Sequence, residues 1–305
     1  MPHFTELKLS ISLATLALST PALAREGSGR VLGGHAFIES ESLESPFITT
    51  SIATLTGAGL ASADLDVDLD NDGAPDALEF SLGVFRQGFL LGVAPTEWLE
   101  LRAAMAGMVF SGSNVDTALI LGVTAGYDYV VGAQARLFQT SALQVSASLD
   151  VDVNNGLRFS PLQAIQESID KGQISRDSLL AKTASTELKP SVQVAYGFNA
   201  TLGVWAAATY EHTLKATDGD DEPTIGAGLG VSADFSPEYD IPLGVVLAGT
   251  VSSSGETSSR SGSAGLFYTG RPALQTGVEV ETGTQSSPNS SLELTAGLFK
   301  LRYYW

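Results

Sequence analysis

The chain has 305 residues, no Cys and a formal net charge of -18. Disulfide frameworks, thiolate nucleophiles and Cys-based metal sites are therefore excluded, and no nucleic-acid partner is expected, because phosphate binding needs a field of opposite sign. Charged residues make up only 16% of the chain, against about 25% in an ordinary soluble domain, so something other than a charged, water-facing surface covers this molecule.

At the start, Lys8 precedes a short apolar run from Leu9 to Leu18, and Pro21, Ala22, Leu23 and Ala24 follow. A basic n-region, a short apolar core and an A-x-A end define a cleaved secretory leader over residues 1–24. The run is shorter than the roughly 20 apolar residues that a spanning helix needs. Residues 25–46, which carry His35, precede the first strand, as either a periplasmic linker or an arm entering a lumen.

From Phe47 onward, runs of about ten residues alternate apolar with small or polar side chains, the period of a two-faced strand. In 142–153, Leu143, Val145, Ala147, Leu149, Val151 and Val153 share one face, and Gln144, Ser146, Ser148, Asp150 and Asp152 share the other. The pattern predicts twelve strands, near 47–60, 78–92, 98–110, 128–138, 142–153, 189–198, 201–213, 224–235, 242–253, 261–271, 273–284 and 291–305. Short connections alternate with long ones at 61–77, 111–127, 154–188, 214–223, 254–260 and 285–290. Residues 190–210 lack formal charge, but Val192, Val194, Tyr196 and Phe198 alternate at period two, so they read as a hairpin and not as a membrane helix. Within the long connections, Ser160 and Pro161 ahead of Leu162, Ile165 and Ile169 predict a short helix, and 116–127 a second.

Twelve strands with tight turns at one rim and long loops at the other fit a single transmembrane antiparallel up-and-down β-barrel over residues 47–305. The apolar faces suit lipid. Trp98, Phe138, Phe198, Phe235 and Trp305, beside the short turns, would form an interfacial aromatic girdle. The chain stops on a strand with Phe299, Leu301, Tyr303 and Trp305 on one face. This ending resembles the C-terminal strand of Gram-negative outer-membrane β-barrel proteins, as the stretch 264–272 and the region 111–188 resemble a poorly characterised porin-like group of them. The resemblance implies an outer-membrane location, lipid as the surrounding partner, and recognition of the terminal strand by the barrel-assembly machinery through Phe299, Leu301, Tyr303 and Trp305.

On the inward face near the short turns, Arg102, Arg136, Lys300 and Arg302 gather, with Glu100 and Asp234 as candidate partners. Two readings follow: a basic constriction that selects permeants by charge, or a lumen sealed by salt bridges. The first long loop carries Asp68, Asp70, Asp72, Gly73, Asp76 and Glu79 at the ligand spacing of a calcium loop, so Ca2+ is a candidate ligand there; the alternative is an acidic, solvated hairpin tip. His212 would face lipid at the outer end of a strand, a placement that resembles the exterior site of the outer-membrane phospholipase, but no Ser or Asn can be assigned beside it. The expectation is a non-enzymatic barrel for passage of a small solute. The alternative is a closed structural or adhesive surface barrel whose acidic loops bind divalent cations.

Overall fold

The computed structural model describes residues 28–67, 76–112, 123–159, 180–216, 222–288 and 290–305. A 3-10 turn, Ser28–Arg30, leads into a two-stranded ribbon, β1 (Val31–Leu32) and β2 (His35–Ala36). Twelve strands follow: β3 (Ser51–Val67), β4 (Asp76–Thr96), β5 (Leu99–Gly112), β6 (Val123–Gln139), β7 (Leu143–Phe159), β8 (Leu180–Gly197), β9 (Leu202–Ala216), β10 (Thr224–Asp234), β11 (Leu243–Ser254), β12 (Thr257–Tyr268), β13 (Leu274–Ser287) and β14 (Ser290–Tyr304). Every consecutive pair is antiparallel, and β14 closes on β3 with Tyr303 opposite Ile52. Closure leaves no unpaired sheet edge, which is what lets strands cross a bilayer.

Period-two alternation fixes which face looks where. Ile52, Leu60, Phe85, Phe89, Leu101, Val131, Leu229, Leu247 and Val278 point outward and are exposed. Their neighbours Ala53, Val84, Glu100, Gln134, Ser232, Val246 and Glu279 point inward and are buried. An apolar exterior around a polar interior inverts the arrangement of a soluble protein and is the one lipid requires. Trp98, Phe138, Phe198 and Trp305 stand exposed beside the short turns, as a girdle demands, and Tyr303 stacks on Trp305 at 6.0 Å. Among the described residues no helix is long and apolar enough to cross a membrane.

Several boundaries differ from the sequence reading. The barrel starts at Ser51, not at 47, because Phe47 belongs to the segment inside it. The region read as one long connection, 154–188, contributes strand at both ends, through Phe159 and from Leu180, and strand β6 begins at Val123 where a helix was expected to run to 127. The helix expected after Ser160 lies outside the described residues. Long and short connections do not alternate strictly: β11 and β12 join through only Gly255 and Glu256, and β13 and β14 are nearly contiguous. Gly255 has φ +54°, which a residue without Cβ adopts freely, and a Cβ there would collide with the Glu222 carboxylate. The one α-helix among the described residues, α1 (Ser236–Tyr239), is a single turn in a short connection.

Candidate functional site: a stoppered lumen

Residues 28–50 enter the lumen from the short-turn rim and fill that half of the barrel. Of the two readings for this segment, the structure takes the arm. Phe37, Ile38, Leu43 and Phe47 form one buried cluster with Ala195, Trp205, Ala207, Val246 and Phe267 from the inward faces of β8, β9, β11 and β12. Phe37 packs on Phe47 at 4.8 Å and edge-on to Trp205 at 6.4 Å. Each such side chain removed from water contributes about 1.5–3 kcal/mol. Gly203 on β9 makes room: a Cβ there would collide with the rings of both Phe37 and His35.

Beyond its two short strands the segment has little regular structure, so its backbone polar groups must find partners on the wall. Inward-facing side chains supply them. Gln134 donates to the Ser45 carbonyl at 2.8 Å, Ser146 to Pro46 at 2.6 Å and Gln275 to Glu39 at 2.9 Å, while the Thr49 N–H donates to Glu100 at 2.7 Å. At the rim Arg30 donates to the carbonyls of Phe37 and Pro272 and lies 3.8 Å over the Tyr304 ring.

Lys300, Arg302, Arg102 and Lys189 meet carboxylates of this segment. Lys300, fully buried, meets Glu41 at 2.6 Å. Arg302 pairs with Glu39 and reaches Glu41 at 3.6 Å. Arg102 pairs with Asp150 of β7 and with Glu44 at 3.7 Å, and Lys189 reaches Glu44 at 3.3 Å. The sequence reading paired these bases with Glu100 and Asp234. Glu100 does lie in the field of Arg102 while accepting from the Thr49 N–H, whereas Asp234 accepts from the backbone N–H of Ser236. Arg136 stands apart from the other three, in a 500 Å³ cavity at the short-turn rim with Arg30, Glu97 and Trp305. A basic constriction facing water is thus not what the bases form. Burial disfavours ionisation of Glu41 and Glu44, but Lys300 beside the first, and Lys189 and Arg102 beside the second, hold both carboxyls below their ordinary range. His35, buried, is held below its ordinary value by desolvation; it sits 3.2 Å from the Ala200 carbonyl and 2.6 Å from the Ser232 hydroxyl.

Above the stopper the lumen opens. A cavity of 610 Å³ near the long-loop rim is lined by Asp128, Asn154, Glu187, Thr213 and Thr224, among others. Of the calcium-loop residues, Asp68, Asp70 and Asp72 lie outside the described residues, as do the side chains of Asp76 and Glu79. His212 is exposed on the outer face opposite Leu188 and makes no hydrogen bond among the described residues. Phe299, Leu301, Tyr303 and Trp305 all face outward.

No family model matches the sequence, and no curated protein matches it. Among solved structures, an outer-membrane channel from Pseudomonas putida F1 superposes with a TM-score of 0.57 at 12% identity, over 88% of this chain and 100% of that one. The fold is that of an outer-membrane β-barrel channel. The KdgM porin (TM-score 0.44, 9% identity, 84% and 99% covered) and the NanC porin (0.45, 9%, 82% and 98%) lie further away.

Sequence reasoning found Arg102, Lys300 and Arg302 but missed Glu39, Glu41 and Glu44, the carboxylates that answer them. The available signal was complementarity: inward cations at one end of a barrel need buried counter-charges, and the acid-bearing stretch ahead of the first strand was the unassigned source.

Proposed function

We propose that the protein sits in the outer membrane as a porin-like channel for a small solute, with its short turns in the periplasm and residues 28–50 as a stopper that shifts to admit passage. The observation that carries this reading is an open vestibule of 610 Å³ above a segment that belongs to no barrel strand. A wall that filled its own lumen would need no separate insert. In this reading the leader delivers the chain to the periplasm, the terminal strand engages the barrel-assembly machinery, outer-membrane lipid coats the exterior and no residue is catalytic.

The completeness of the packing, with Lys300, Gln144 and Val246 fully buried, favours a second reading: a permanently closed surface barrel, structural or adhesive. Planar-bilayer recording separates the two. The channel reading expects discrete conductance steps from the purified mature chain and swelling of liposomes in small solutes. Silence in both assays, at several voltages, would leave only the closed barrel.

A further inference from the structure

The inward face of the barrel beyond the stopper is not uniformly polar: the 610 Å³ cavity is lined from β6 to β11, and part of the remaining wall is apolar. On β14, β3, β4 and β5 the cross-strand rows read Leu294, Ala61, Leu82 and then Ala296, Gly59, Val84, Phe110, and Leu294, Leu82 and Phe110 are half-buried. Met108 extends the patch to its edge, where Arg86 lies opposite it on β4. Lumens that only carry water and ions are polar, and an apolar patch on the inward face of a barrel marks a place where apolar matter docks.

The wall that continues from it on β6 to β9 has the opposite character. Asp128 lies directly beside Ala106 of the apolar wall in the β5–β6 register, and Asp152, Glu187 and Glu211 follow around the barrel. Asp152 lies within the field of Asp128 and Glu187, and Glu211 within that of Glu187 and Asp152. Two cations, Lys189, which also meets Glu44, and Arg86, which also meets Glu281 at 3.4 Å, lie within the field of these carboxylates and are outnumbered by them. An anion entering here meets an excess of carboxylates over cations. A fully polar solute leaves the apolar wall wet, and a hydrocarbon strips water from the carboxylates with nothing in return.

We propose that the lumen beyond the stopper accepts small organic cations with an apolar body, of the class of aromatic and alkyl amines, the body on the β14–β5 wall and the ammonium at the carboxylates of β6–β9. This deepens the channel reading and rests on it for passage. The test is calorimetric binding to the full mature chain in lipid nanodiscs, blanked against empty discs, with phenethylammonium, phenylacetate and ethanolammonium as probes. Phenethylammonium is expected to bind at least tenfold more tightly than either of the others. The pair Leu82→Ser and Phe110→Ser, and separately the pair Asp152→Asn and Glu187→Gln, are each expected to remove that preference in protein that still migrates as a folded barrel. Phenylacetate binding as tightly as phenethylammonium, binding of none of the three, or folded variants that bind like the parent would overturn the proposal. Conductance from the same preparations is read separately: its absence beside selective binding defeats the channel reading alone, and its presence without selectivity defeats this one.

Discussion

Arg302 shows how much of the stopper depends on single ion pairs. Its guanidinium and the Glu39 carboxylate are both withdrawn from water, so their mutual attraction stands against a large desolvation cost. Removing one partner strands the other: Arg302→Met is expected to weaken seating of the stopper by about 3–5 kcal/mol, read as raised open probability and faster protease cleavage within 28–50. Unchanged open probability would show that Glu39 has another cation. His35 makes the same stopper sensitive to acid. Desolvation lowers its folded value, the Ala200 carbonyl and Asp234 work the other way and Arg30 adds to the lowering, so the seated form binds fewer protons than the free segment. Seating strength is then complete above the free imidazole value of about 6.5 and falls as pH drops below it. The Glu41 and Glu44 contributions are lost only at lower pH, as it falls from 4.5 through their depressed values. Open probability should therefore rise between pH 7 and 5.5, and His35→Gln should flatten that rise. A rise that survives the substitution would place the sensing group elsewhere.

At the scale of elements, twelve strands and their lipid-facing sides were legible because bilayer burial enforces clean alternation, as in 142–153. Strand extents were not. Toward the long-loop ends of β7 and β8, Asn154, Asn155 and Gly156 lie opposite Ser185, Ala184 and Thr183, and small or polar residues on both faces erase the period that marks a strand. The stopper was legible only as one of two readings of residues 25–46, for a related reason. Phe37, Ile38, Leu43 and Phe47 follow neither period, since the segment is shaped by the wall that receives it, and only the bases on that wall could be read as a strand face. Gly203 ties the two elements together. Gly203→Leu should keep the barrel, because strand pairing there is backbone to backbone, while expelling Phe37 and His35, and conductance should rise severalfold. A variant as quiet as the parent would mean that the stopper is held without that contact.

For the whole molecule, the decisive asymmetry lies between outside and inside. Leu229, exposed near the middle of β10, faces hydrocarbon, so Leu229→Arg is expected to cost about 2–4 kcal/mol of folding free energy in a bilayer. Ser261→Arg, on the lumenal face of β12, should cost far less, as urea titrations in vesicles would show; equal costs would mean that the exterior is not lipid-facing. The account as a whole turns on whether the inserted segment must move for solute to pass. With no native Cys, a lock can be built cleanly: the Ser40 and Ser263 hydroxyls lie 3.0 Å apart, so Ser40→Cys with Ser263→Cys places a disulfide between stopper and β12. Single-channel conductance of that variant should fall at least tenfold on oxidation and return on reduction, and current that is the same in both states would contradict the account.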